Sequence, residues 1–354
     1  MQRRNKGLWF WHRWLGVLAL TVLLITAVTG ALLVYQQPLL RLLVAEGAVL
    51  PDDYDGQMLL QELDRLAATL PTDGPVLIKA PSADEPYWTV RGSAGAPQLY
   101  AVGSLQRLDA NPRVAEMLAF ALRLHTVLLM GVLGEWLLLI AAAAGVTLAV
   151  TGLVLWWPAR RGFRWRMVLP WPLRRPMMLH YHRHAGVLAV APLLVVLLTG
   201  AVMMWQILIR PLLPPLVETV QPLPPSVVVM AATESALPSA SAAAALAWAE
   251  IPDGWPSFIR LPGEGNSQYR FRFRLPGEWH PNGRTSVILD LQAAELRVTP
   301  RADEVPASRR LLNQVYPLHS GHGMNSVYAL LVFLAGLFLL WSCVTGFMSW
   351  WRRR

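Results

Sequence analysis

The chain has 354 residues, 54% of them hydrophobic and only 15% charged, with a positive mean hydropathy. That balance falls outside the usual range of soluble globular domains and makes a membrane the first environment to test. The net charge of +9 is not read as a nucleic-acid footprint, because acidic and basic residues are segregated along the chain as membrane topology demands.

About 20 apolar residues cross a hydrocarbon core as a helix, and four stretches qualify, at about 13–35, 128–157, 185–209 and 326–350. In chain order, residues 1–35 form a basic N-terminus (Arg3, Arg4, Lys6) and transmembrane helix 1. Its apolar run is too long for a signal-peptide core, and no small-x-small cleavage site follows it. Residues 36–124 are expected to be a first small α+β domain: DGQMLLQELDRLAATL reads as a capped amphipathic helix, followed by short strands near VLIKA, YWTVRG and QLYAV.

Residues 125–157 carry transmembrane helix 2, 158–183 a loop with seven arginines and no acid, and 184–209 transmembrane helix 3. A Pro-rich linker, PLVETVQPLPPS, opens the second α+β segment, 210–325. There PSASAAAALAWAEI suggests a helix, and QYRFRFRL alternates strictly before a turn at Pro276-Gly277 and a strand at TSVILDL. Tyr269, Phe271, Phe273 and Leu275 should face the core, and Arg270, Arg272 and Arg274 the other way, as an ordinary solvated strand face or as a greeting for anionic ligands or headgroups. Residues 326–354 hold transmembrane helix 4 and the basic tail Arg352–Arg354.

All 22 acidic residues except Glu135 fall in the two long inter-span segments. The positive-inside rule therefore predicts cytoplasmic N- and C-termini and two long segments facing outward. The only cysteine, Cys343, lies inside the last span, so no disulfide or thiol chemistry is expected.

A duplication organises these elements. HRWLGVLA at 12–19 returns as HRHAGVLA at 182–189, identical at six of eight positions, and each copy reaches Thr-Gly at the same distance, at Thr29-Gly30 and Thr199-Gly200. A second set repeats as Leu124-His125 and Leu318-His319, Thr151-Gly152 and Thr345-Gly346, and Trp156-Trp157 and Trp350-Trp351. Two tandem units of span, outer segment and span share one topology and can pack about a pseudo-two-fold axis along the membrane normal.

Seven of the eight histidines sit at span ends, and His280 lies in a turn of the second outer segment. An ionisable group at a membrane is costly and points to function, although a lone interfacial histidine is more simply a snorkelling side chain. The duplication pairs His12 with His182 and His125 with His319. Two facing imidazoles in each of two layers are the axial set of two b-type haems. Gly30, Gly152, Gly200 and Gly346 fall opposite those histidines and would let a flat macrocycle approach the backbone, as well as serving plain helix packing. His180, His184 and His322 remain alternative ligands. No Gly-rich phosphate loop, nucleophile elbow or nicotinamide fingerprint is present.

The repeated HRxxG…TG helix, LHTVLLMGVLGEW…TGLVLWWPAR, LHSGHGMNSV…TGFMSWWRRR and PGEWHPNGRTSVILD together resemble the PepSY-associated transmembrane family, which includes inner-membrane ferric-siderophore reductases. The resemblance covers nearly the whole chain and is weaker in the first outer segment. It implies a haem-containing oxidoreductase for iron uptake that takes electrons from a quinol or a cytoplasmic reductase and passes them to a ferric siderophore in the periplasm. By motif, His12 and His182 would serve an inner haem, and His125 and His319 an outer one. The alternatives are a general electron-transfer cytochrome b for another periplasmic acceptor, and a non-redox protein whose PepSY-like segments bind peptide or regulate a partner.

Overall fold

The computed structural model describes residues 6–43, 49–70, 76–92, 97–108, 112–208, 226–229, 238–263 and 265–351. The Pro-rich linker up to Pro225, Arg3, Arg4 and the Arg352–Arg354 tail lie outside the described residues. The chain forms two compact units, one helical (residues 1–35, 120–217 and 315–354) and one built around a sheet (36–119 and 218–314).

Among the described residues, four helices of the helical unit are long and apolar enough to cross a membrane: α1 (Lys6–Val34), α5 (Val132–Trp156), α6 (Met178–Leu208) and α9 (Ser326–Trp351). The protein is therefore a multi-pass membrane protein. α1 and α6 start several residues earlier than hydropathy alone suggests, because basic and histidine-rich sequence joins the first turns. α6 tolerates Pro192 in its interior, as transmembrane helices do where neighbours satisfy the freed carbonyl. The helices α4 (Pro112–Val127) and α8 (Ala307–Ser320) precede α5 and α9.

Small residues line the inside of this unit. Ala19, Ala141, Ala144, Ala189 and Ala335 are buried together with Leu23, Leu193, Leu197 and Cys343. A Cβ on Gly145 would stand 2.8 Å from Leu197 Cδ2, so those helices approach closely because the glycine lacks one. Large apolar side chains point the other way: Leu18 is 79% exposed and Ile140 62%. Lipid rather than water is the solvent that accepts such a surface.

The sheet unit differs from expectation in one respect. Instead of two separate small domains, the two inter-span segments build one nine-stranded sheet in the order β4-β3-β2-β1-β6-β7-β8-β9-β5. The strands are β1 (Leu77–Lys79), β2 (Tyr87–Arg91), β3 (Gln98–Ala101), β4 (Arg107–Leu108), β5 (Ser226–Val229), β6 (Trp255–Arg260), β7 (Gln268–Arg274), β8 (Thr285–Asp290) and β9 (Glu295–Val298). The segments join where β1 pairs antiparallel with β6, Ile78 opposite Ile259. Each segment alone would leave this edge of unpaired N–H and C=O groups, and pairing removes it.

Helices α3 (Gly56–Ala67) and α7 (Ala240–Glu250), one from each segment, pack with one face of the sheet. Asp55 caps α3 by accepting from the Met58 N–H at 2.9 Å, and Ser239 caps α7 by accepting from Ala242. The core holds Leu59, Leu63, Trp88, Ile259, Phe271, Phe273 and Leu289 with almost no exposure. The alternation of QYRFRFR thus sorts as its period-two pattern predicts. Buried Glu62 accepts from the Tyr54 hydroxyl, the Trp88 indole and the Gly103 N–H, so its carboxylate is fully engaged. Asp64 of α3 accepts from the Ser241 N–H at 2.7 Å and so ties α3 to α7.

Candidate functional site

Four histidines of the helical unit occupy four seats built to one plan. Each imidazole lies against a Thr-Gly pair on a neighbouring helix: His12 of α1 at Thr151-Gly152 of α5, His125 of α4 at Thr29-Gly30 of α1, His182 of α6 at Thr345-Gly346 of α9, and His319 of α8 at Thr199-Gly200 of α6. The glycine makes room for the ring. A Cβ built on Gly30, Gly152, Gly200 or Gly346 would fall 2.9, 3.3, 3.0 or 3.1 Å from the Cε1 atom of its histidine. The space beside each glycine is thus filled by an imidazole.

The threonine fixes the proton. Its hydroxyl has one hydrogen, donated to the carbonyl four residues back: Thr29 to Ile25 at 2.7 Å, Thr151 to Thr147 at 2.7 Å, Thr199 to Val195 at 2.6 Å and Thr345 to Trp341 at 2.7 Å. The same oxygen then has only lone pairs left to offer the imidazole Nδ1, which lies 3.0 Å away in His125, 2.8 Å in His12, 3.2 Å in His319 and 3.5 Å in His182. This network assigns the hydrogen to Nδ1. Backbone carbonyls agree, since Nδ1 of His182 is 3.0 Å from the Ser342 oxygen and Nδ1 of His319 is 2.9 Å from that of Val196. A neutral imidazole protonated at Nδ1 has a bare lone pair at Nε2, which is the form a metal ion takes.

The seats bring the rings together in pairs. The centroids of His12 and His182 lie 6.4 Å apart, and those of His125 and His319 6.1 Å. Imidazoles that share one metal through Nε2, each at about 2 Å, have centroids roughly 6 Å apart, a separation close to that of both pairs. Among the described residues no group of three or more His, Cys, Asp or Glu gathers as metal ligands. A metal between either pair would need ligands beyond these side chains.

The sequence profile of the PepSY-associated TM region matches residues 9–353. The chain belongs to the PepSY-associated transmembrane family. Among curated proteins, none matches the chain.

In this PepSY-associated chain the remaining histidines stand apart from the pairs. His180 is exposed. His184 is buried with its ring 5.5 Å from that of Phe163, in the loop after α5. His322 is held at both nitrogens, Nδ1 by the Tyr316 hydroxyl at 3.0 Å and Nε2 by the Leu33 carbonyl oxygen at 3.2 Å, which leaves no lone pair aimed at a metal. His280 lies in the sheet unit, where its Nδ1 accepts from the Asn282 N–H.

The segments ahead of α5 and α9 turn sharply after each histidine. Leu128 (φ 48°), Leu129 (φ 59°) and Gly131 (φ 57°) follow His125, while Gly321 (φ 77°) and Gly323 (φ 79°) follow His319. The first turn places two leucines in left-handed backbone, a conformation that costs about 1–2 kcal/mol per residue and that glycine adopts freely. Such strain concentrates where geometry is over-determined by function.

Proposed function

We propose that this protein is a haem-dependent oxidoreductase of a bacterial inner membrane, moving electrons to a ferric siderophore in the periplasm and releasing Fe(II) for uptake. The observation that carries the reading is the two pairs of neighbouring imidazoles, each ring with Nδ1 against a threonine hydroxyl, an arrangement that leaves Nε2 for a metal. His12 and His182 would hold one haem b and His125 and His319 a second. Bound haem supplies reversible one-electron chemistry between Fe(II) and Fe(III).

The protein's own residues then have defined tasks. The threonine hydroxyls and backbone carbonyls hold the Nδ1 hydrogens and keep each ring in its ligating tautomer. The glycines let each ring lie flush with a helix, and the lipid-facing leucines and valines keep water from the spans. Segregation of charge supports cytoplasmic termini and a periplasmic sheet unit. The electron donor is a quinol or a cytoplasmic reductase. Fe(II), lower in charge and softer than Fe(III), binds hard oxygen chelators less tightly, so reduction loosens the siderophore's hold.

A visible spectrum of the purified protein tests the cofactor: a Soret band and a dithionite-induced α-band are expected, and their absence after haem-replete expression would sink the reading. Mixing the reduced protein with ferric siderophores tests the acceptor. Reoxidation of haem by a chelate is expected, and no reoxidation by any would leave a general cytochrome.

A further inference from the structure

The face of the sheet opposite α3 and α7 carries a run of arginines that the haem chemistry does not use. The strand register places them in line. Arg91 of β2 and Arg260 of β6 both pair with Leu77 of β1, Arg260 lies directly opposite Arg270 of β7, and Arg270 opposite Ile288 of β8. One step along the strands, Arg272 is paired with Phe258, and its guanidinium carbon lies 5.8 Å from the centre of that ring.

Arg91, Arg260 and Arg270 are exposed, and Arg272 is half-buried. Among the described residues none of the four forms an ion pair, although Arg274, Arg297 and Lys79 nearby each find a carboxylate. Like charges directly opposite on neighbouring strands destabilise a sheet, and Arg260 facing Arg270 is that arrangement. A sheet face serving only solubility would be expected to alternate signs across its strands.

From β2 to β7 the row spans three strand spacings, about 14 Å. Guanidinium forks suit carboxylate, catecholate or phosphate oxygens, and the apolar surfaces of Leu77, Ile288 and Phe258 lie between and beside them. A matching ligand carries several anionic oxygens around a compact body with apolar or aryl faces.

We propose that this face binds a compact multi-anionic metal chelate of the catecholate or carboxylate type, in preference to neutral or cationic chelates. That the bound metal is the iron to be reduced rests on the reductase reading; the anion preference does not.

Gallium(III) chelates separate the two, because gallium(III) is not reduced under these conditions. The full-length protein in a neutral detergent is titrated calorimetrically with a gallium tris-catecholate and with a neutral gallium tris-hydroxamate. The anionic chelate is expected to bind about tenfold more tightly or better, with the preference shrinking as salt rises. The double variant R260Q/R270Q should reduce that preference to about twofold, while R260K/R270K, which keeps the charge, retains most of it.

Removing the facing like charges should leave the melting temperature of R260Q/R270Q unchanged or raised, so loss of binding is not loss of fold. Equal binding of both gallium chelates, or an undiminished preference in R260Q/R270Q, overturns the proposal. Arginine-dependent binding of phosphatidylglycerol micelles with no chelate binding also overturns it and assigns the face to lipid headgroups. Binding of the gallium catecholate with no reduction of its iron counterpart upholds this face and removes that chelate from the reductase reading.

Discussion

The two units of this chain bury opposite things. The sheet unit hides its largest side chains, among them Trp88, Phe271 and Phe273, and turns arginines outward. The helical unit hides alanines, holds four half-buried imidazoles against threonine-glycine pairs, and leaves Leu18 and Ile140 exposed. The difference teaches what drives each to fold. In the sheet unit, removal of apolar area from water supplies the stability. In the spans lipid is as apolar as the interior, so close packing and hydrogen bonds decide which helix meets which, and glycine gaps and threonine hydroxyls serve both.

The contrast is broken most severely at a seat. Gly30→Leu would put a side chain where the His125 ring lies, with the added Cβ alone 2.9 Å from Cε1. Haem content by pyridine haemochrome should fall from about two per chain to about one. Retention of both haems would mean that the seat does not position the ligand. In the sheet unit, Phe271→Ala should cost about 3–5 kcal/mol, read as a lowered melting transition, because a fully buried ring leaves a cavity.

A smaller effect is expected at Thr151→Val, which keeps shape and removes the acceptor that holds the His12 Nδ1 hydrogen. Loss of such an outer partner typically weakens metal binding by about 10–100-fold. Haem retention during dilution into apomyoglobin measures it, and an unchanged retention would leave the threonine a packing residue only. Smallest is Leu18→Ala on the lipid-facing surface, expected to move the melting transition by no more than about 0.5 kcal/mol. A larger loss there would show that Leu18 packs against another protein surface.

The spans, the pairing of histidines and the alternation of β7 were legible in the sequence, because hydropathy, duplication and period-two patterning are local signals. The role of the threonines was not. Nothing in a Thr-Gly dipeptide tells that its hydroxyl hydrogen goes to the carbonyl four residues back and its lone pair to a histidine on another helix. That each glycine makes room for an imidazole ring was hidden too, since depth along a helix does not say what fills a gap beside it. His322 stood one helical turn from His319 in sequence, and only the Tyr316 hydroxyl and the Leu33 carbonyl separate its role. The single sheet was equally hidden, because β1 and β6 are separated in sequence by two spans, and a strand's partner across such a distance leaves no local trace.

Each half of the chain, taken on either side of the loop at 158–177, owns two complete seats: α4 and α1 clasp at Thr29-Gly30 and α1 and α5 at Thr151-Gly152, while α8 and α6 clasp at Thr199-Gly200 and α6 and α9 at Thr345-Gly346. What each half lacks, the other supplies: the opposing imidazoles, the opposing edge at β1 or β6, the Asp64 or Ser241 that ties α3 to α7, and the Gly145 or Leu197 at the approach of α5 and α6. The connecting loop carries none of these contacts. Its contribution is to keep two complementary pieces at high effective concentration and in a fixed one-to-one ratio. Two separately expressed half-chains therefore have every complementary surface needed to find each other.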